Sequence, residues 1–289
     1  MSRKLTLGIS PCPNDTYIFE ALVHGRIDMG GLAFETSLED VETLNAKAAR
    51  GEYDVVKVSV AAVVRFLDEY ALLPCGGALG RGCGPLLVGR PGMALADIAH
   101  ATVAIPGKLT TAHLLLELTG LHHGPRPVLR YDEVIPAVSQ GRAFSTDSGT
   151  AQPMAAGLVI HEGRFTYEAH GLVKLLDLGE WWERETGLPI PLGAIAIRRS
   201  LGPDVARQIA EAIRASLAFA RRDPQAAWPW IMENAQEMAP EIVSAHIAMF
   251  VTDFSMDLGD EGKAAVARLL DAAARVEGLS LSDVEIFAG

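Results

Sequence analysis

Through the first two-thirds of the chain, short runs with apolar residues at every second position alternate with segments whose apolar residues recur at helical spacing. KLTLGIS reads as a strand that breaks at Ser10-Pro11-Cys12-Pro13, and Asn14 or Asp15 then caps a helix running to about His24 and stopped by Gly25. LAFETSLE alternates as a strand, and DVETLNAKAAR predicts a helix ending at Gly51. YDVVKVS is a third strand, with Ser59 placed to cap a helix over VAAVVRFLDEY. PLLVGR and TVAIPG predict strands, and Pro106-Gly107-Lys108 forms a loop before the helix TTAHLLLELTG. AAGLVIH, LVKLLDLG and GAIAIRR are later strands. This alternation is that of an α/β protein.

From Pro203 the pattern turns helical, in about four segments near 203–221, 224–236, 240–252 and 260–276. The stretch GRAFSTDSGTAQPM, Gly141 to Met154, is rich in Ser, Thr, Gly and Gln and reads as a polar surface loop. The 289 residues suit one large or two medium domains at roughly 100–200 residues each.

Composition narrows the class. The chain is 49% hydrophobic and 21% charged, which excludes intrinsic disorder. Its 25 basic against 36 acidic residues, a net charge of −11, lack the footprint of a nucleic-acid binder and would be repelled by an anionic membrane surface. Cys12, Cys75 and Cys83 show no CxxC pairing and no histidine at metal-ligand spacing, so free thiols are expected. The longest apolar runs, SVAAVV and AAGLVI, fall far short of the roughly 18 residues of a membrane span. The opening MSRKLTLGISPCPND has no secretory apolar core. The expectation is a cytoplasmic protein.

Candidate chemistry gathers where a predicted strand ends, a few polar residues follow and a helix begins: Ser10 to Thr16, Lys57 to Ser59, and Pro106 to Thr111. Ligands of open α/β sheets bind outside the carboxyl ends of strands, and a helix start suits an anion. Lys57 adds charge there, and Ser59, Thr110 and Thr111 add hydroxyls, although each hydroxyl also suits simple capping. His161 ends the strand AAGLVI, a place fit for an acid–base group as well as for a structural histidine. His122-His123 reads as a solvated loop pair. Trp181-Trp182 reads as packing at a domain edge. GGALGRGCGP lacks the context of either phosphate motif, and its glycines point to tight turns or a close backbone approach.

SPCPNDTYIFEALVHGRI, LEDVETLN, KVSVAA, GGALGRGCGPLLV, PGKLTTAHLLL, LVIHEGRFTY and DLGEWWERETGLPIPLGAI closely resemble the 1,4-dihydroxy-6-naphthoate synthase family, of the futalosine route to menaquinone. The resemblance covers about residues 4 to 200, and the helical tail follows more loosely. It implies a type 2 periplasmic-binding-protein-like fold, two α/β lobes around a ligand cleft with a helical C-terminal part. Lobe one would be residues 1–98 plus 196–289 and lobe two 99–195, with crossovers in PLLVGR and GAIAIRR. The implied activity is a carbon–carbon lyase splitting cyclic dehypoxanthinyl futalosine into 1,4-dihydroxy-6-naphthoate and a dihydroxyacetone fragment. No metal or organic cofactor is expected, and the partner is a small-molecule carboxylate substrate. The family's proton acceptor matches His161, and its substrate-binding residues match Lys57, Val58, Ser59, Thr110 and Thr111. Arg164 and Arg81 are candidate partners for the substrate carboxylate.

The sequence departs from the family at Arg142 to Met154, which replaces a short Gly-acidic turn and is about ten residues longer. The start of a strand lies opposite its ligand end, so the expectation is a bulge remote from the site. Two other readings compete: the chorismate dehydratase of the same pathway, and a non-catalytic carboxylate-binding module. SPCPND with KVS and TTAH favours the synthase. A receptor should carry a signal peptide, and a sensor an attached set of DNA-binding helices.

Overall fold

The computed structural model describes residues 3–144, 151–236, 239–281 and 285–288. The chain forms two compact units, Met1–Gly80 with Pro191–Gly289, and Arg81–Ile190.

The first unit is built on a six-stranded sheet in the order β2-β1-β3-β12-β4, with β5 also paired to β12. Strand β1 (Arg3–Ile9) runs parallel to β2 (Leu32–Leu38) and to β3 (Val55–Ser59). β12 (Ile190–Arg198) is antiparallel to β3 and to β4 (Tyr70–Leu72), and β5 spans Ala78–Gly80. Every residue of β3 is buried, as in a strand covered on both faces. Leu5, Leu7 and Ile9 of β1 join Ile18 and Leu22 of α1 (Pro13–Val23) and Ile209, Ile213 and Leu217 of α7 (Pro203–Arg222) in one core. The spacing of those α7 residues keeps them on one face of the helix. The predicted helical tail is present as α7, α8 (Pro224–Asn234), α9 (Pro240–Phe250) and α11 (Gly259–Glu277), with the single turn α10 (Asp253–Met256) between. α2 (Val41–Ala49) starts on Asp40, whose carboxylate accepts the amides of Glu42 and Thr43.

Two local expectations changed. The helix predicted after Ser59 is a 3-10 segment, Val60–Arg65, and Tyr70 starts β4. β-Branched Val60, Val63 and Val64 favour a helix weakly, and the fully buried Tyr70 donates its hydroxyl to the Tyr53 carbonyl at 2.5 Å, drawing the chain into the sheet. The cap of α1 is Cys12, with Pro13 in the first turn, rather than Asn14 or Asp15.

The second unit carries a four-stranded sheet in the order β11-β6-β10-β7. β6 (Leu86–Gly89) is antiparallel to both β10 (Ala156–Val159) and β11 (Val173–Asp177), and β7 (Val103–Ala104) runs parallel to β10. Because β6 bonds only to strands of this unit, the chain crosses before it, between Gly80 and Arg81, and returns between Ile190 and Pro191. The expected crossovers within PLLVGR and GAIAIRR are displaced accordingly. Leu86, Val88, Val134, Val138 and Val159 form the core beside α4 (Val134–Gln140). α3 (Thr111–Thr119) and α6 (Leu178–Thr186) pack together. The sequence pattern had not singled out α6; Trp182 is 2% exposed and donates its indole N–H to the Pro189 carbonyl at 3.1 Å.

The long stretch after Gly141 is only partly loop. β8 (Arg142–Phe144) and β9 (Ala151–Pro153) pair antiparallel, and residues 145–150 lie outside the described residues. Arg90 fastens the base of this hairpin by donating to the carbonyls of Val138 and Met154 at 3.2 and 3.0 Å. The hairpin enters β10 at its start, and His161 follows the other end of that strand.

The glycines of GGALGRGCGP serve close backbone approach. A Cβ on Gly84 would lie 2.3 Å from the Gly179 Cα and N. Gly84→Ala is therefore expected to lower unfolding free energy by about 1–3 kcal/mol, read as a lower urea midpoint. An unchanged midpoint would show that the two backbones separate without cost.

His122 corrects the reading of a solvated pair, being 1% exposed while His123 is exposed. Its Nδ1 accepts the Arg126 Nε–H at 3.0 Å and its Nε2 donates to the Ala101 carbonyl at 2.9 Å, which fixes a neutral ring. Burial pushes its pKa below the ordinary imidazole value. Unfolded, the ring titrates near about 6.5, so its contribution is full above that pH and is lost as pH falls below it. Thermal unfolding from about pH 6.5 down to about pH 5 should therefore lose stability faster in the wild type than in His122→Gln. Parallel slopes would show that another group governs the acid side.

Candidate active site

The parallel run of β1 and β3 brings the segments after Ile9 and after Val58 to the same edge of the first unit's sheet. β1 delivers Ser10 and the start of α1, whose residues Pro13 to Leu22 are buried. A helix so enclosed must satisfy its polar side chains internally. Asp15, 1% exposed, does so by accepting the Ser10 hydroxyl at 2.7 Å and the Ser10 amide at 3.2 Å on Oδ2. Its Oδ1 accepts the Asn14 Nδ2–H at 2.9 Å and the Lys57 ammonium.

Lys57 is 5% exposed, so the cation expected to stand free for an anion is half of a buried ion pair. Asn14, whose Nδ2 faces Asp15, turns its oxygen to His246 Nε2 at 3.1 Å, and the oxygen can only accept; His246 therefore carries its proton on Nε2. Ser59 does not cap the following turn. Its Oγ accepts from Asn45 Nδ2 at 3.0 Å and its amide donates to Asn45 Oδ1 at 2.8 Å, leaving the hydroxyl hydrogen directed away from Asn45. Val58 is 0% exposed, backbone included, and pairs with Ala194 of β12, so its part is to fix Lys57 and Ser59 on either side of it.

In the second unit, parallel β7 and β10 send both following segments to one edge. β7 leads to Thr110, whose Oγ1 caps α3 by accepting the His113 amide at 3.2 Å and donating to the Gly107 carbonyl at 2.8 Å. Both of its hydrogen-bonding roles thus hold the loop and first turn, and Thr111 opens the helix beside it. β10 leads to His161, the one non-glycine residue with positive φ (53°) among the described residues. That conformation costs about 1–2 kcal/mol for an L-residue, and histidine is among those that tolerate it. The ring meets Tyr131 edge to face at 5.0 Å between centroids.

The arginines expected at a substrate carboxylate are already engaged. Arg164 binds Asp177 Oδ2 at 2.6 Å and the carbonyls of Gly82 and Gly84. Arg81 donates to the Gly187 carbonyl at 3.0 Å and lies 3.8 Å from Glu183. The three cysteines are buried and none is in a disulfide among the described residues, and burial pushes the thiols of Cys75 and Cys83 up to about 12. Reading by pattern missed Asn45 and His246 as site architecture, and took Asn14 and Asp15, within the candidate segment Ser10 to Thr16, as helix caps rather than as partners of His246 and Lys57.

Two α/β units on mixed sheets, with polar side chains gathered at strand ends, define a periplasmic-binding-protein-like fold. A Candida albicans protein described as having the generic periplasmic binding protein fold superposes with a TM-score of 0.66 at 12% identity, covering 97% of this chain and 92% of that one. A protein of Archaeoglobus fulgidus superposes with a TM-score of 0.84 at 33% identity, covering 95% and 98%. Two relatives named 1,4-dihydroxy-6-naphthoate synthase are each 48% identical. The one from Streptomyces coelicolor aligns over 95% of this chain and 94% of its own, and the one from Thermus thermophilus over 96% of both. Residues 5–275 match the family model for menaquinone biosynthesis, and the chain belongs to that family. No helix among the described residues is long and apolar enough to cross a membrane.

Removing one partner of a buried ion pair strands the other. Asp15→Ala is expected to lose about 3–5 kcal/mol of stability in denaturant unfolding, and Asp15→Ala with Lys57→Met to recover part of that. A double variant no more stable than the single one would show that the lost packing, and not the uncompensated ammonium, sets the cost.

Proposed function

We propose that this chain is a carbon–carbon lyase that splits cyclic dehypoxanthinyl futalosine into 1,4-dihydroxy-6-naphthoate and a dihydroxyacetone fragment, with His161 as the base. The observation that carries the reading is near-half identity along almost the whole length of two relatives named for that product. Breaking a carbon–carbon bond beside carbonyl or hydroxyl groups requires a group to take a proton and donors to hold the developing oxyanion. A half-buried imidazole at a strand end, held edge-on to Tyr131, has the right chemistry for the first task.

For the second task the proposal assigns Lys57, Val58, Ser59, Thr110 and Thr111. The ion pair and the capping bonds refine their parts. Lys57 offers an ammonium whose charge Asp15 already balances, so it contributes directed N–H donors more than net charge. Ser59 contributes its hydroxyl, Val58 the strand geometry that sets Lys57 and Ser59, and Thr110 the fixed first turn from which Thr111 and the neighbouring amides meet an anion. The ligand is a small-molecule carboxylate, and the enzyme works in the cytoplasm without a metal or organic cofactor.

The test is turnover of cyclic dehypoxanthinyl futalosine by the purified protein, with the naphthoate followed by chromatography. Wild type is expected to form product, and His161→Ala to lose about 10²–10⁴-fold in kcat. Undiminished turnover by His161→Ala removes the base assignment. No product from folded wild type, with the substrate still bound in calorimetry, leaves a binding module instead.

A further inference from the structure

A base acts only in the pose that its backbone holds, and His161 is held in a conformation that L-residues avoid. The support comes from the residues just after it. The Gly163 amide donates to the Ile160 carbonyl at 3.1 Å, and the Arg164 amide donates to the His161 carbonyl itself at 3.3 Å. The short helix α5 (Gly163–Thr166) thus closes the turn that carries the ring. The Arg164 side chain then ties this turn to the rest of the unit. Its Nη2 donates to Asp177 Oδ2 at 2.6 Å and to the Gly82 carbonyl at 2.9 Å, and its Nη1 donates to the Gly84 carbonyl.

Asp177 is itself fixed. Its side chain is 0% exposed, and its Oδ1 accepts the amides of Gly179 and Glu180 at the start of α6. Gly84 lies against the backbone of Gly179, so the guanidinium closes a knot of α5, the end of β11 and the glycine-rich stretch before β6. With its donors engaged in this way, Arg164 is built to hold protein and not substrate.

We infer that Arg164 is a positioning residue for His161, with Asp177 as its anchor: the fork of the guanidinium fixes α5, and α5 fixes the left-handed turn that presents the imidazole. The inference rests on the reading of His161 as the base. Lysine keeps the charge but offers a point donor in place of the planar fork, so it cannot span a carboxylate and two carbonyls in the same geometry.

Arg164→Lys is expected to lower kcat by about 10- to 100-fold with KM unchanged, the signature of a misplaced reacting group. Asp177→Asn keeps an oxygen for the Gly179 and Glu180 amides while withdrawing the anion from Arg164, and should show the same split. The imidazole NMR signal of His161, identified by its loss in His161→Ala, should move in both variants. Arg90→Lys, which loosens a guanidinium bound to carbonyls elsewhere in the same unit, should leave kcat and that signal in place.

Wild-type kcat in Arg164→Lys, or a fall in kcat with the His161 signal unmoved, overturns the inference. If Arg164→Lys does not fold, Asp177→Asn decides by the same two readouts. Normal turnover in His161→Ala would instead sink the base assignment, and the ring signal would still report whether Arg164 holds His161.

Discussion

Burying a carboxylate takes several kcal/mol unless protein donors replace its water, and each unit of this chain accepts that cost at the end of a strand. In the first, Asp15 sits just past β1 and is held by Ser10, Asn14 and Lys57. In the second, Asp177 closes β11 and is held by Arg164 and the first amides of α6. Neither pair is a surface ornament; both acids are at most 3% exposed. The donors each carboxylate requires are what organise the neighbouring segments, so the polar architecture of the candidate site follows from satisfying these two charges.

The mixed sheets explain why such groups collect where they do. Parallel β1 and β3, and parallel β7 and β10, discharge their following segments at common edges. Lys57 and Ser59 therefore share an edge with the start of α1, and Thr110 and Thr111 share one with His161. The antiparallel returns, β12 in one unit and β6 in the other, carry apolar side chains and add little chemistry. The hairpin β8–β9 fits the same rule: it is spliced in where β10 begins, about 13 Å along a four-residue strand from the end that bears His161.

The site's likeness to an anion-binding helix start is real but indirect. Capping engages the Thr110 hydroxyl as both donor and acceptor, and Asp15 balances the charge of Lys57. On the proposed reading, each set of residues offers a ligand directed donors rather than a free positive charge. That suits a reaction in which charge develops and disappears, since fixed dipoles need no reorganisation as it does so.

Much of the order of strands and helices, though not β4, β5, α6 or the β8–β9 hairpin, was legible from sequence, as were the starts of α2 on Asp40 and α3 on Thr110 and the proline-led helices at 203, 224 and 240, because each depends on neighbours within a few residues. The positions of Ser59 and His161 at strand ends, Lys57 near one and Thr111 at a helix start were legible for the same reason. Their partners were not. Asp15 meets Lys57 across 42 positions, Arg164 meets Gly84 across 80, and His246 meets Asn14 across 232. Burial of His122, the conversion of Ser59 from cap to partner of Asn45, and the assignment of β6 to the second unit were decided the same way. Local sequence sets where the backbone turns; which side chains lose their water, and what replaces it, depends on segments that only the folded chain brings together.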